Sequence, residues 1–394
     1  AQIGAEIAQR LKMPAVVGEI AAGCAVGPAA LGWIKLSEPL EVLAEIGAVL
    51  LLFSVGLETR LGDLKKVGRV ASMVGISGII FPFALGAAWA HFSGYPTAKA
   101  MFIAAAFVAT SAGITARVLQ ELGVLGRTES RIILGAAVID DILAMLLLGA
   151  VTALQGPNGI DITSIGIVLL QALGFVALVA IFGTRLMRKS SSLLESPINP
   201  LSPLTISLAL CLGLAVAASF IGLAAIIGAF LAGMIAAETQ QRHTLEKQLL
   251  PIMALLVPFF FVVTGAKVDL SQLGSWQTLG ALLVVTTLAI VGKLVGCGLA
   301  ARSLGRQSAM IVGVGMVPRG EVGIIVASLG MGAGVFTGEI YAIIISMSLL
   351  TSIIAPPLLS ILLKNAPPDA PGHGDEITPS PLLVAEETGH SARH

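Results

Sequence analysis

The sequence predicts an all-α protein that crosses a membrane many times, and three observations support this prediction. Of the 394 residues, 56% are hydrophobic and only 12% are charged, whereas a soluble domain carries about 25% charged residues. The mean hydropathy is +0.95, which indicates that lipid surrounds most of the chain. Apolar runs near or above the length needed to cross a bilayer recur along the whole sequence.

Twelve apolar runs predict twelve full transmembrane helices. They cover about residues 13–32, 40–57, 67–92, 98–122, 130–153, 163–187, 203–221, 223–238, 246–265, 276–301, 307–330 and 335–363. Because each run can cross the hydrocarbon core once, we expect loops on alternating sides of the membrane.

The chain matches itself at an offset of about 210 residues, which predicts an internal repeat. Gly23 corresponds to Gly233 at this offset, and residues 1–10 correspond to 211–220, the second half of a predicted helix. We therefore expect a partial helix before the twelve, which makes a fold of thirteen. An odd number of crossings separates equivalent points, which predicts inverted repeats of the kind found in secondary transporters.

The predicted domains follow from this repeat. Residues 1–153 form the first inverted repeat, residues 154–202 form a linker helix and loop, and residues 203–364 form the second inverted repeat. Residues 365–394 are rich in Pro, Gly, Ser, Asp and Glu, a composition that predicts a disordered tail.

Lys and Arg residues in the predicted loops indicate the orientation of the chain. Most of them lie on the side that carries the C-terminus, whereas Lys35, Lys99 and Lys267 lie on the other side. Because cytoplasmic loops are enriched in positive residues, we expect a cytoplasmic C-terminus and an extracytoplasmic N-terminus. The formal net charge is zero, which gives no indication of nucleic acid binding.

Two adjacent carboxylates, Asp140 and Asp141, lie in the middle of an apolar run. A charge at the bilayer centre costs from about 3 to over 10 kcal/mol, so such residues usually serve a function. Successive residues of a helix point in different directions, so the two carboxylates cannot have the same surroundings. Lys293 lies equally deep and needs a carboxylate partner, which either aspartate could provide. The alternative is a static ion pair that only stabilises the fold.

Two other runs, 98–122 and 307–330, carry small polar or helix-breaking residues at equivalent positions. These are Thr110, Ser111 and Gly113 in the first run, and Pro318, Arg319, Gly320, Glu321 and Gly323 in the second. Proline and glycine predict that both helices are broken, and paired broken helices indicate a transport site. Arg319 would bind the negative ends of the half-helices and Glu321 the positive ends. We expect both residues to hold the crossing together rather than to bind the ion directly.

Glu19 and Glu45 also lie inside predicted spans. Each could relay a proton, or could bond a neighbouring backbone group. For both residues we predict the structural role, a bond to a neighbouring backbone group.

Several segments resemble the motifs of the cation:proton antiporter superfamily. They are RLKMPAVVGEIAAGCAVGP, LLLFSVGLETRLGDL, TSAGITARVL, VIDD and PRGEVGIIVASLG. The similarity is closest to the bacterial Kef/NapA-like branch and covers about residues 5–363. It implies a homodimer in the inner membrane, in which each chain has a core domain and a dimer domain.

By this resemblance, Asp141 binds the cation and the proton, Asp140 pairs with Lys293, and Thr110 and Ser111 line the site. An adjacent Asp pair with a lysine is similar to the electrogenic Na+/H+ exchangers, whereas Kef-type potassium systems usually carry Gln-Asp. The resemblance therefore implies that the chain is not an enzyme and needs no cofactor. It would exchange Na+ or Li+ for H+ by alternating access. The alternative is a K+/H+ antiporter or a Kef-like K+ efflux system.

Overall fold

The computed structural model describes residues 1–59, 61–153, 202–221, 223–239, 241–267, 275–332 and 334–366, with a few residues between 170 and 179. The helices are α1 (Gln2–Arg10), α2 (Ala15–Val26), α3 (Glu38–Leu57), α4 (Leu61–Phe92), α5 (Thr97–Val108), α6 (Ala112–Glu121), α7 (Thr128–Ala153), α8 (Ser202–Phe220), α9 (Ala225–Ala237), α10 (Arg242–Ala266), α11 (Trp276–Ala300), α12 (Arg306–Gly315), α13 (Gly320–Gly332) and α14 (Gly338–Lys364). The predicted linker helix over 163–187 lies almost entirely outside the described residues, and so does the predicted tail after residue 366.

The described helices agree with a polytopic membrane protein. Seven helical segments are long and apolar enough to cross a membrane, and α2 and α9 are apolar but shorter. The total of thirteen helices stays a prediction, because one predicted span lies outside the described part of the chain.

The helix bounds recur at nearly the offset that the sequence displays. α2 begins at Ala15 and α9 at Ala225, and α7 begins at Thr128 and α14 at Gly338. The two interrupted segments, α5–α6 and α12–α13, occupy equivalent places in the two sets. The opposite orientation of the two sets in the membrane stays a prediction.

The helices pack as two bundles. The first bundle contains α1, α2, α3, α8, α9 and α10, and the second contains α4 to α7 and α11 to α14. Glycines allow close backbone approach in the first bundle, where a Cβ on Gly56 of α3 would lie 2.9 Å from the Cα of Gly233 in α9. The bundles meet mainly where α6 contacts α2 and α3, and where α14 contacts α2. We call this thin interface the bundle boundary.

Candidate functional site

Two helix breaks meet inside the second bundle. Residues 109–111 separate α5 from α6, and residues 316–319 separate α12 from α13. The Ser111 N–H donates a hydrogen bond to the Pro318 carbonyl oxygen at 2.7 Å, so the two non-helical segments are in direct contact. The crossing exposes helix ends in the protein interior, where their partial charges are available to other groups.

The residues that break the helices differ in part from those predicted. Pro318 lacks an N–H and cannot continue the hydrogen bonds of α12, and Gly320 starts α13 with a φ of +46°, in the left-handed region. Gly113 and Gly323 were expected at the breaks, but both lie within helices. Gly113 instead makes room for the first bundle, because a Cβ there would lie 3.3 Å from the ring of Phe260.

Arg319 holds the crossing together. Its side chain is completely buried, and its Nη1 donates to the carbonyl oxygen of Ala109 at 2.7 Å. Ala109 caps the C-terminal end of α5, where the helix dipole is negative. Nη2 donates to the carbonyl oxygen of Ala289 in α11 at 2.8 Å. The Glu321 side chain lies outside the described part of the structure, so its role stays a prediction.

Asp140 and Lys293 form a buried ion pair between α7 and α11. The Nζ of Lys293 lies 2.8 Å from the Oδ1 of Asp140, and both side chains are completely buried. Gly78 of α4 faces this pair, because a Cβ there would lie 3.4 Å from the Nζ and 3.7 Å from the Oδ1. The residues alone left either aspartate as the partner of Lys293, and the geometry selects Asp140.

Asp141 lies beside a small cavity that both bundles line. Leu52 of α3 and Phe230 of α9 come from the first bundle, and Ala112 of α6 and Val138 of α7 come from the second. Only 6% of the Asp141 side chain is exposed. The other side chains that line this cavity are apolar.

Three buried polar atoms of the predicted site have no hydrogen-bond partner among the described residues. They are Oγ1 of Thr110, Oδ2 of Asp140 and Nε of Arg319. Buried polar groups in folded proteins are nearly always satisfied by protein, water or an ion. Two of the three atoms are oxygens, the ligands that hard cations prefer. We therefore take Thr110 and Asp140, with Asp141 and the completely buried Ser111, as the candidate ion-binding residues, whereas Arg319 holds the crossing in place.

Polar contacts also cross the bundle boundary near the end of α6. The Nε2 of Gln120 donates to Ser54 Oγ at 2.9 Å and to Glu58 Oε1 at 3.0 Å, both in the first bundle. The Ala15 N–H, at the start of α2, donates to Oε2 of Glu121 at 3.0 Å. Burial raises the pKa of Glu58, and the hydrogen bond from Gln120 lowers it in part.

These boundary contacts, and the position of Gly78, were missed by sequence reasoning. The signal available was weak. Gln120 and Glu121 are polar residues at the end of an apolar run, a common position for solvated side chains. Gly78 is one of 45 glycines, and nothing in its immediate sequence sets it apart.

Comparison with known proteins identifies the family. The family model described as "Sodium/hydrogen exchanger, transmembrane" matches residues 1–365. The chain belongs to the sodium/hydrogen exchanger family. The resemblance to the cation:proton antiporter superfamily is thereby confirmed, and membership of a transporter family agrees with the expectation that the chain is not an enzyme. The Kef/NapA-like branch stays a prediction.

Two curated members of the exchanger family are similar over most of their length. The Na(+)/H(+)-K(+) antiporter GerN of Bacillus cereus is 35% identical over 365 residues, which cover 91% of this chain and 92% of GerN. The high-affinity Na(+)/H(+) antiporter NhaS3 of Synechocystis is 35% identical over 407 residues, covering 93% of this chain and 88% of NhaS3.

A solved structure supports the fold of the exchanger family. The sodium proton antiporter MjNhaP1 of Methanocaldococcus jannaschii, determined by electron microscopy, matches with a TM-score of 0.70 and 17% sequence identity. The match covers 93% of this chain and 96% of that protein. At this identity, the similarity establishes an antiporter fold and assigns no residue a role.

Proposed function

We propose that this chain exchanges Na+ or Li+ for protons across the inner membrane. The observation that carries the proposal is the position of Asp141, a buried carboxylate in a cavity that both bundles line. NhaS3 is described as a Na+/H+ antiporter and GerN as a Na+/H+-K+ antiporter, and each is 35% identical to this chain, which supports Na+ as the cation.

The proposed mechanism is competition for one carboxylate. Ionised Asp141 attracts Na+, whereas protonated Asp141 has no charge with which to hold it. The hydroxyl of Thr110 and backbone groups at the break beside Ser111 would complete the coordination, since unwound helix segments bind small cations in transporters. Arg319 would keep the break in place by its bonds to Ala109 and Ala289. No cofactor takes part in this mechanism.

Alternating access would arise from movement of one bundle relative to the other. The Asp141 cavity has walls from both bundles, so a shift at the bundle boundary would open it to one side and then to the other. In this proposal, the first bundle acts as the dimer domain of a homodimer and the second acts as the core domain. Residues 1–153 and 203–364 are the inverted repeats that make the two orientations equivalent.

Exchange would also move net charge. A second proton would be carried by the pair formed by Asp140 and Lys293, which lie 2.8 Å apart. Two protons for one Na+ would transfer one elementary charge, worth about 2.3 kcal/mol per 100 mV of membrane potential. The membrane potential would then drive Na+ efflux without any further energy source.

The proposed setting is the lipid of the inner membrane, with the basic loops and the C-terminus in the cytoplasm. The positive loop residues support this orientation. Exposed apolar side chains on α4 and α11, such as Ile80 and Leu283, support contact of these helices with lipid.

K+/H+ exchange is the second candidate. GerN is described as an Na+/H+-K+ antiporter, and it is as similar to this chain as NhaS3 is. A cavity with one carboxylate and few other polar groups does not by itself separate Na+ from K+. K+ would use the same competition with protons at Asp141.

The test is transport by purified protein in proteoliposomes. A pH-sensitive dye reports proton movement when Na+, Li+ or K+ is added in turn, and the charge moved is recorded on a supported membrane. We expect responses to Na+ and Li+ with a current, and no response in protein-free vesicles. A response to K+ alone would replace Na+ by the second candidate, and the absence of any response would contradict both.

A further inference from the structure

A buried carboxylate outside the candidate site, Glu19 of α2, takes no part in the mechanism described above. Only 2% of its side chain is exposed. Its Oε2 has no hydrogen-bond partner, and no hydrogen bond to its carboxylate is present among the described residues. The predicted structural role, a bond to neighbouring backbone, is therefore wrong for this residue. An intramembrane acid without a bonded partner calls for a functional explanation.

Glu19 faces the bundle boundary. The Ala15 N–H bonds to Glu121 of α6 at 3.0 Å, and Glu19 lies one turn further along the same face of α2. On α6, Arg117 lies one turn before Glu121 and pairs with it at 2.8 Å. The two helices thus bring Glu19 and Arg117 into electrostatic range.

Few charged groups act on Glu19. Arg117 has the strongest effect, and Glu121 of α6 and the amino group of Ala1 beside α1 have weaker ones. α10 and α14 also pack against α2, and neither contributes a charged group to this set within the described residues. The charge of Glu19 is therefore balanced mainly from across the bundle boundary.

The helix α6 connects this region to the ion-binding site. Its first residue, Ala112, lines the cavity beside Asp141. Arg117 lies five residues later, about 8 Å along the helix axis at 1.5 Å per residue. The loop after α6 belongs to the basic side of the membrane. Glu19 consequently lies along the bundle boundary between the Asp141 cavity and the basic surface.

We propose that Glu19 carries the exchanged proton between Asp141 and water at the basic surface. This inference rests on the proposed exchange function. A proton leaves the Asp141 carboxylate, passes through water at the bundle boundary, and forms an O–H bond on the Oε2 of Glu19. It then passes to water at the basic surface, and uptake follows the reverse order. Arg117 stabilises the carboxylate after the proton has left.

The free Oε2 suits this role. An oxygen that accepts no protein hydrogen bond can take a proton without breaking an existing contact. A carboxylate fixed by several donors would instead stay ionised and could not cycle between its two states. The geometry therefore favours a group that titrates during each transport cycle.

The experiment compares Glu19→Gln, Glu19→Asp and the wild type in proteoliposomes across a pH series. Glu19→Gln removes the titrating group with little change in volume. We expect its rate of Na+-driven proton movement to fall about 100-fold, the lower end of what a side chain positioned for proton transfer contributes. Its dependence on pH should flatten, and its KM for Na+ should stay unchanged. Glu19→Asp should retain the wild-type pH profile, because it keeps an acid.

Glu45→Gln is the matched control, because Glu45 lies in the apolar helix α3 but its side chain is exposed. It should match the wild type in rate and pH profile. A Glu19→Gln protein with both wild-type properties would overturn the proposal, whereas a wild-type protein without exchange would overturn the proposed function instead.

Arg117→Gln gives an independent test that does not require Glu19→Gln to fold. Removing this cation favours the neutral form of Glu19, so the pH of half-maximal transport should move upward. A profile that stays in place in Arg117→Gln would overturn the proposed role of Glu19. Thermal unfolding of each variant shows that the compared proteins are folded.

Discussion

Two faces of α7 place adjacent carboxylates in different surroundings. On one face, Asp140 is completely buried inside the second bundle and bonds to Lys293 at 2.8 Å. On the other face, Asp141 lines a cavity with Leu52 and Phe230 of the first bundle. Asp140 therefore has its partner within its own bundle, whereas Asp141 has neighbours across the bundle boundary.

The difference teaches how two charges one residue apart can serve different purposes. A buried charge that is paired and hydrogen-bonded is stabilised by its partner, and the loss of either partner is strongly destabilising. A carboxylate that lines a cavity between two bundles is instead accessible to an ion that enters there. The first arrangement stabilises the second bundle, and the second arrangement suits exchange.

The largest expected effect is on transport in Asp141→Asn. An amide has nearly the same shape as the carboxylate, but it does not bind a proton near neutral pH. It also carries no negative charge to attract Na+. We expect the dye assay to show only the leak of protein-free vesicles, while the melting temperature in detergent stays close to that of the wild type.

Asp140→Asn sharpens the comparison. This change leaves the buried charge of Lys293 without its carboxylate, so the protein should melt at lower temperature. Some exchange should remain, because Asp141 is intact. The roles of the two aspartates would be reversed if Asp141→Asn still transported Na+ in exchange for protons. The same would follow if only Asp140→Asn lost this transport completely.

The next largest effect is on stability in Lys293→Ala. Removing one partner of a buried ion pair leaves the other charge uncompensated, which costs about 3–5 kcal/mol. The measurement is thermal unfolding in detergent, with the exposed Lys364→Ala as a matched control that should melt like the wild type. In the double variant Asp140→Asn, Lys293→Met, much of the loss should be recovered. A wild-type melting curve for Lys293→Ala would contradict a stabilising ion pair.

Much of the candidate site could be predicted from the sequence. Charges inside apolar runs reveal Asp140, Asp141 and Lys293, because lipid makes them costly wherever the helices pack. Pro318 reveals a break for an equally local reason, since it lacks an N–H. These features depend on the residue and its immediate neighbours.

Other features depend on tertiary packing and could not be predicted. The residues alone did not decide which aspartate meets Lys293, because the rotation of α7 is set by its packing against α4 and α5. The lack of a hydrogen-bond partner for Oε2 of Glu19 depends on which face of α2 meets α6. Gly113 was predicted as a helix breaker, but a glycine in a helix can instead serve close packing, as it does here against Phe260.

A smaller effect on stability is expected for Gly78→Ala, which faces the ion pair of Asp140 and Lys293. The new Cβ would lie 2.8 Å from the Sγ of Cys297 and 3.4 Å from the Nζ of Lys293, so the ion pair or the thiol must shift. Overpacking of this kind costs about 1–3 kcal/mol, which thermal unfolding would detect.

Gly68→Ala is the control for Gly78→Ala, because it lies in the same helix and a Cβ there has no neighbour within 4 Å. It should be neutral or slightly stabilising. Adding Cys297→Ala to Gly78→Ala removes the closest atom and should restore part of the stability. If Gly78→Ala melts like Gly68→Ala, the space around the ion pair is not limiting.

The smallest effect on stability is expected for Gln120→Leu, which changes a residue that bonds across the bundle boundary. This change removes the bonds to Ser54 and Glu58 and costs about 1–2 kcal/mol, since it leaves the half-buried Glu58 without that donor. Burial already raises the pKa of Glu58, and loss of the hydrogen bond would raise it further. A carboxyl whose folded pKa is raised destabilises the folded protein as pH rises from its unfolded pKa. The loss of stability in Gln120→Leu should therefore be small in acid and grow toward neutral pH.

Melting curves of Gln120→Leu over a pH series measure this loss, with the exposed Gln277→Leu as control. A loss that is equal at every pH would mean that Glu58 is not the group that Gln120 stabilises.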